Sequence, residues 1–114
     1  MRGLVFQPVS EGYHPWIIIS EEQDGKVLAV NITDASDLNN PTCVLDVGDH
    51  PIVIKQSAVY YKMAQEFIVT KLQKNLKKYC TVHQDLCSNE VLDRIIEGAL
   101  KDEDFTPKLR KYLE

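Results

Sequence analysis

The stretch that decides the fold is His14-Pro15-Trp16-Ile17-Ile18-Ile19-Ser20, a polar turn ending in Asp24-Gly25, and Lys26-Val27-Leu28-Ala29-Val30-Asn31-Ile32-Thr33-Asp34. Asp-Gly between two apolar runs is typical of a tight hairpin turn, because glycine accepts a positive φ without a Cβ clash. Arms of similar length would place Pro15 opposite the Thr33 end of the second arm. We therefore predict an antiparallel hairpin whose open end brings His14 and Thr33 into one polar cleft.

The composition is that of one globular domain. The chain has 114 residues, 44% of them hydrophobic and 26% charged, so a core can form without disulfides. A net charge of −4 gives no global basic field, although a local basic patch can still bind nucleic acid. The odd count of three cysteines indicates reduced thiols, and no signal peptide or membrane span is recognisable. We expect a cytoplasmic, soluble protein.

Strand-like segments precede helix-like segments along the chain. The predicted fold class is therefore α+β, one domain over residues 1–114, with a small, strongly bent antiparallel β-barrel in 1–69 and helices in 70–114. Strands are expected within 42–47, 52–55, 57–61 and 67–69. Ser88 is a good N-cap for a helix that runs to about Lys101, and Thr106-Pro107 is typical of another helix start.

Two histidines, His14 and His50, each precede a proline, which favours an extended backbone and a projecting imidazole. Imidazole ordinarily titrates near pH 6.5, so it can give or take a proton at neutral pH. Metal-free RNA cleavage needs a base for the 2′-hydroxyl, an acid for the leaving 5′-oxygen and a donor for the phosphate charge. Either histidine, with Thr33, Lys55 and Ser57, could supply these groups. The alternative is that His-Pro only forms turns.

Two further groups of residues have alternative interpretations. Cys80, His83 and Cys87 would share one face of a helix and could bind zinc, but a fourth ligand is lacking, so we expect buried thiols, no metal and no cofactor. Four lysines form a basic strip that could follow a phosphate backbone or simply be the solvated face of a helix. They are Lys71, Lys74, Lys77 and Lys78.

The first 70 residues resemble the PemK/MazF family, the endoribonuclease toxins of bacterial toxin–antitoxin systems. His14 to Ser20 is similar to the family's Arg-Pro, aromatic, aliphatic and Ser segment, and Asn31 to Asp34 is similar to its Pro-Ile/Leu-Thr-Ser segment. Ser57-Ala58-Val59 and Phe67-Ile68-Val69 resemble two later strands. The resemblance implies an SH3-like barrel, a homodimer and an antitoxin partner. His14 stands for the family's arginine, Thr33 for its threonine and Asp34 for its serine.

The leading functional hypothesis is metal-independent cleavage of single-stranded RNA. His14, Thr33 and His50 are the candidate catalytic residues, and Lys55, Ser57 and Trp16 are the candidate substrate-binding residues. The rival hypothesis is a non-catalytic binding module of the same fold for a protein partner or nucleic acid. Four acidic residues bordering the cleft favour the rival, whereas the two histidines favour catalysis. The acidic residues are Asp34, Asp37, Asp46 and Asp49.

Overall fold

The structure, a computed structural model, describes residues 1–10, 12 and 14–114. The strands are β1 (Val5–Pro8), β2 (Trp16–Ile18), β3 (Lys26–Asp34), β4 (Val44–Leu45), β5 (Ser57–Ile68) and β6 (Cys80–Val82). The α-helices are α1 (Val69–Tyr79) and α2 (Asn89–Lys101), and 3-10 turns cover Ala35–Asp37 and Pro107–Leu113. No helix in these described ranges has the length and hydropathy needed to cross a membrane.

The six strands form one antiparallel sheet in the order β4-β5-β3-β2-β1-β6. This pairing confirms the α+β class and the antiparallel sheet. The sheet is open in the described part of the chain, with β4 and β6 at its edges, so a closed, SH3-like barrel stays a prediction. The division into a β part and a helical part at residue 70 is wrong in one respect, because β6 lies beyond it. Pairing with β1, in the register Pro8 to Cys80, makes this later segment a strand.

The hairpin predicted from Asp24-Gly25 is confirmed. Asp24 and Gly25 have φ values of 50° and 76°, the two positive angles of a turn whose twist suits a hairpin. Trp16 pairs with Asn31, and the Ile32 amide donates to the Pro15 carbonyl at 3.0 Å. The open end of the hairpin is therefore where the sequence pattern predicted it.

The later strands differ from the prediction in their extents. β5 is one continuous strand rather than separate segments, and it bulges opposite Val30: β3 advances two residues while β5 advances five between the pairs Ala29–Gln65 and Asn31–Tyr60. The strand predicted over 42–47 is reduced to the two residues of β4, and 52–55 forms no strand. The Ile52 amide is instead bound by the His50 side chain at 3.0 Å, which fixes a turn there.

Each face of the sheet packs against a helix, because alternate residues of β1 to β3 point to opposite sides. α2 contributes an apolar stripe to the larger core, which also holds inward residues of β1, β2, β3 and β5. That stripe consists of Val91, Leu92, Ile95 and Ala99. α1 covers the other face with Val69 and Leu72. The Ser88 hydroxyl accepts a hydrogen bond from the Val91 amide at 3.2 Å, which confirms the predicted N-cap of α2.

An ion pair ties the turn after β4 to α2. The Arg94 guanidinium contacts both carboxylate oxygens of Asp49, at 3.0 and 3.2 Å, and also donates to the Val44 carbonyl at 2.9 Å. Arg94 is the main cause that holds the pKa of Asp49 below its ordinary value. A carboxyl with a lowered folded-state pKa stabilises the fold above its unfolded pKa, and that stability is lost as pH falls through the folded value.

We expect Asp49→Asn to lower the free energy of unfolding by about 1 kcal/mol at pH 7, since it removes a partly exposed, bidentate charge pair. The deficit relative to the wild type should shrink as the pH falls through the lowered folded-state pKa of Asp49, because the wild-type carboxyl is then also neutral. Urea unfolding at pH 7 and over a series of lower pH values measures it, with Asp93→Asn, an exposed position on α2, as the charge-matched control. A deficit of the same size at every pH would contradict the role of the ion pair.

Candidate active site

A cavity of about 440 Å³ opens at the end of the β2–β3 hairpin. The hairpin register brings the residue before Pro15 and the last residues of β3 to the same place. The turn before β5 forms the opposite wall with Pro51, Ile52 and Ile54. The polar lining consists of Gln7, His14, Thr33, Asp34, Asp37, Lys55 and Ser57.

The structure brings His14 and Thr33 together, as the hairpin pattern predicted, because both line this cavity. The His14 side chain is exposed, so its imidazole is open to a ligand. Thr33 is buried, with 7% of its surface exposed, and its hydroxyl donates to Asp37 Oδ2 at 3.3 Å. The cavity therefore holds an accessible proton carrier and a hydroxyl fixed by a carboxylate.

Lys55 and Asp34 form an ion pair at the mouth of the cavity. Lys55 Nζ lies 2.7 Å from Asp34 Oδ2, and 65% of the lysine side chain and 30% of the aspartate side chain are exposed. The hydrogen bond from Lys55 is the main cause that holds the pKa of Asp34 at about 2. Asp34 also accepts from the Ser36 amide at 3.0 Å, which caps the following 3-10 turn. Exposed ion pairs are weak, so an incoming anion can compete for Lys55.

Ser57 lines the cavity but its hydroxyl is already engaged. It is buried and donates to the Lys55 carbonyl at 2.9 Å. This bond fixes the backbone that carries the Lys55 ammonium. Ser57 therefore positions Lys55, the residue proposed to bind phosphate, and its own side chain also lines the cavity.

His50 lies outside the cavity lining, in the turn behind it. It is 4% exposed, its Nε2 lies 2.8 Å from the Asp85 carbonyl, and its Nδ1 accepts from the Ile52 amide. These partners assign the proton to Nε2 and leave neither nitrogen free for a substrate. His83 packs edge-on against its ring, at 4.8 Å between centroids. His50 therefore holds the turn that carries Ile52 and takes no part in the proposed reaction.

Trp16 also lies away from the cavity, on the face of the sheet that α1 covers. Its ring stacks on Phe6 with centroids 6.5 Å apart and meets the edge of Phe67 at 5.4 Å. The alternation of side chains along β2 explains this placement, since Pro15 lines the cavity and the next residue points the other way. The hairpin pattern in the sequence predicted the strand, but it did not predict which of its two faces would line the cavity.

Cys80, His83 and Cys87 do not share a helix face, so that interpretation of their spacing is wrong. Cys80 belongs to β6, and His83 and Cys87 follow in the connection to α2. Burial raises the pKa of the Cys87 thiol to about 11, whereas metals bind the thiolate. Within the described residues, no group of three or more His, Cys, Asp or Glu side chains is placed to hold a metal ion.

Asp37 is a residue of this cavity whose contact with Thr33 the sequence patterns did not predict. The pattern marked it only as an acidic border, but the 3-10 turn over Ala35–Asp37 brings its carboxylate back to Thr33. The available signal was local: Asp34-Ala35-Ser36 is typical of a side-chain-capped turn. In such a turn, residues four positions apart along the chain, here Thr33 and Asp37, lie close together.

No model of a known protein family matches the chain, and no curated protein sequence is significantly similar to it. The arguments for function therefore rest on the cavity and on the motif resemblance described above.

Proposed function

We propose that the chain is a metal-independent endoribonuclease of the PemK/MazF type that cleaves single-stranded RNA in the cavity at the open end of the hairpin. One observation carries the proposal: His14, Thr33 and Lys55 line the same cavity. They are a proton carrier, a hydroxyl that can donate a hydrogen bond and a cation, which are groups that can move a proton and bind phosphate charge without a metal.

In the proposed step, the RNA 2′-oxygen attacks the adjacent phosphorus and the bond from phosphorus to the 5′-oxygen breaks. The proton of the 2′-hydroxyl passes to a base, and the 5′-oxygen receives a proton from an acid, which leaves a 2′,3′-cyclic phosphate and a 5′-hydroxyl. His14 is the proton-transfer residue, and Asp37, 3.3 Å from the Thr33 hydroxyl, is the candidate second one. Lys55 binds the charged phosphate oxygens after leaving Asp34.

The resemblance extends the proposal to biological role and assembly. A member of this family would be the toxin of a type II toxin–antitoxin system, would act as a homodimer and would be neutralised by an antitoxin protein. Its sheet would be a variant of the SH3-like barrel. The antiparallel order and the position of the cavity at the end of the hairpin support this extension.

The second candidate function is a non-catalytic binding module. The observation in its favour is that Asp34 already neutralises Lys55 and that Asp37 adds another carboxylate to the same cavity. Phosphate binding there must overcome this negative charge. A module that recognises a protein partner through the cavity would not face that cost.

The proposal is tested by incubating the purified protein with single-stranded RNA in excess chelator and identifying the ends of the products. We expect cleavage to persist and to leave 5′-hydroxyl and 2′,3′-cyclic phosphate ends. Fragments with 5′-phosphate ends, or no fragments at any pH from about 5 to 9, would overturn the proposed reaction. The second outcome, together with binding of a partner, would support the binding module.

Asp34→Asn should increase cleavage several-fold, because it releases Lys55 for phosphate and removes one negative charge from the cavity mouth. An asparagine oxygen can still accept the Ser36 amide, so the 3-10 turn stays capped. Initial cleavage rates at subsaturating RNA measure the change, with Asp93→Asn as the charge-matched control away from the cavity. Loss of cleavage in Asp34→Asn alone would show that the Asp34 carboxylate itself is required.

A further inference from the structure

We propose that a groove on the opposite face of the sheet is a second site for single-stranded RNA, which binds bases next to the cleavage cavity; this inference rests on the proposed function. The groove has a volume of about 360 Å³. We call it the aromatic groove and define it by Phe6, Trp16, Phe67, Leu72, Asn75 and Tyr79.

The aromatic groove offers ring faces that are anchored but still accessible. Trp16 and Phe67 are half-buried, and each is held by the other and by Phe6 beneath them. Tyr79 stands at the end of α1 with 60% of its surface exposed. Base stacking on such rings tolerates any sequence, because every base has a π-face.

The charge around the aromatic groove is also suited to RNA. None of the described residues that line it carries a charge. Asn75 lines it from α1, and Lys71 and Lys78 lie four residues before and three residues after Asn75, so they border the groove on the same side of the helix. Both lysines are exposed, in a chain with a net charge of −4. Lys71 and Lys78, two of the four lysines of the basic strip, thus place positive charge along one edge of an uncharged aromatic site, where it could bind phosphate.

The aromatic groove adjoins the cavity along two neighbouring strands. Gln7 lines the cavity while Phe6, its neighbour on β1, lines the groove. Pro15, directly before β2, and Trp16, its first residue, alternate in the same way. An RNA strand that leaves the cavity around this end of the hairpin would pass onto the face of the sheet that holds the aromatic groove, and the two strands shared by both sites favour RNA over an acidic peptide as the occupant.

The test uses the single tryptophan as a local reporter. The probe is a single-stranded RNA of about 12 nucleotides with 2′-O-methyl groups, which binds but cannot be cleaved because its 2′-oxygen is blocked. We expect the probe to quench Trp16 fluorescence. Tyr79→Ala should weaken binding at least about fivefold. Lys71→Glu/Lys78→Glu should weaken it at least about tenfold near 0.1 M salt and lower the salt dependence.

Lys77→Glu/Lys108→Glu is the matched control. It changes the net charge equally, but Lys77 lies two residues from Asn75 and so faces the other side of α1, and Lys108 lies in the last 3-10 turn. The control should bind the probe like the wild type. Quenching that depends on Lys71 and Lys78 would support the aromatic groove as an RNA site. If unmodified RNA is never cleaved in the same experiments, only the proposed function is overturned.

Two results would overturn the aromatic groove as an RNA site. In the first, unmodified RNA is cleaved but the probe neither quenches Trp16 nor distinguishes the two lysine pairs, so the proposed function stands without the groove. In the second, the probe does not bind and an acidic peptide with an aromatic residue quenches Trp16, so the groove belongs to a protein partner.

Discussion

His14→Ala should lower the rate of RNA cleavage by about 10²- to 10⁴-fold, the usual contribution of a positioned acid or base. The loss is expected because His14 is the only imidazole among the described residues that line the cavity, and alanine leaves no group there to carry its proton. Cleavage of a labelled single-stranded RNA, followed on a gel under single-turnover conditions, measures it. The fold should persist, since the His14 side chain is exposed.

His83→Ala is the control for this change. His83 lies outside the cavity, beside His50, so its removal should leave cleavage within about threefold of the wild type. An unchanged rate in His14→Ala would remove His14 from the reaction. Equal losses in both variants would indicate damage to the fold instead of loss of a proton carrier.

Gly98→Ala should destabilise the protein, although alanine is the better helix former by about 1 kcal/mol. A Cβ at position 98 would lie 2.3 Å from the Tyr61 hydroxyl oxygen and 3.1 Å from Cys43 Cβ. The Tyr61 ring is buried and its hydroxyl donates to the Ile95 carbonyl at 2.6 Å, so it cannot move away cheaply. Overpacking of a core costs about 1–3 kcal/mol. The free energy of unfolding should therefore fall, as measured by urea denaturation.

A double variant separates overpacking from any other effect of Gly98→Ala. Tyr61→Phe removes the hydroxyl that the new methyl group would meet. The combination of the two changes should then cost less than the sum of the single changes. Simple additivity, or a more stable Gly98→Ala, would show that α2 lies farther from β5 than the structure places it.

Local patterns predicted the elements that depend on local chemistry. Asp24-Gly25 fixes the hairpin turn, and the turn fixes the register that brings His14 to Thr33. Ser88 starts α2, whose apolar residues recur at helical spacing. The convergence of His14 and Thr33 on one cavity was therefore predictable, whereas Lys55 and Ser57 reach it because β5 pairs with β3, a contact between distant segments.

Features that depend on distant partners were not predictable. Cys80–Val82 is a strand only because β1 offers it an unpaired edge, and nothing in its own three residues signals that. His50 precedes proline just as His14 does, yet the Asp85 carbonyl engages its ring. Gly98 lowers the helix propensity of α2, and no neighbouring residue in the sequence explains why a glycine is there. The reason is the close approach of Tyr61 from β5, which leaves no room for a Cβ. In each case the deciding contact joins residues far apart in the chain.

The most direct test of RNA cleavage by His14 is the pH dependence of the single-turnover rate, measured in chelator on one RNA. Because a group that transfers a proton must be in the correct protonation state, the rate should change with pH, and His14→Ala should lose this dependence together with the activity. A rate that is flat between about pH 5 and 8, or an inflection that survives in His14→Ala, would contradict the role of His14 as the proton-transfer residue.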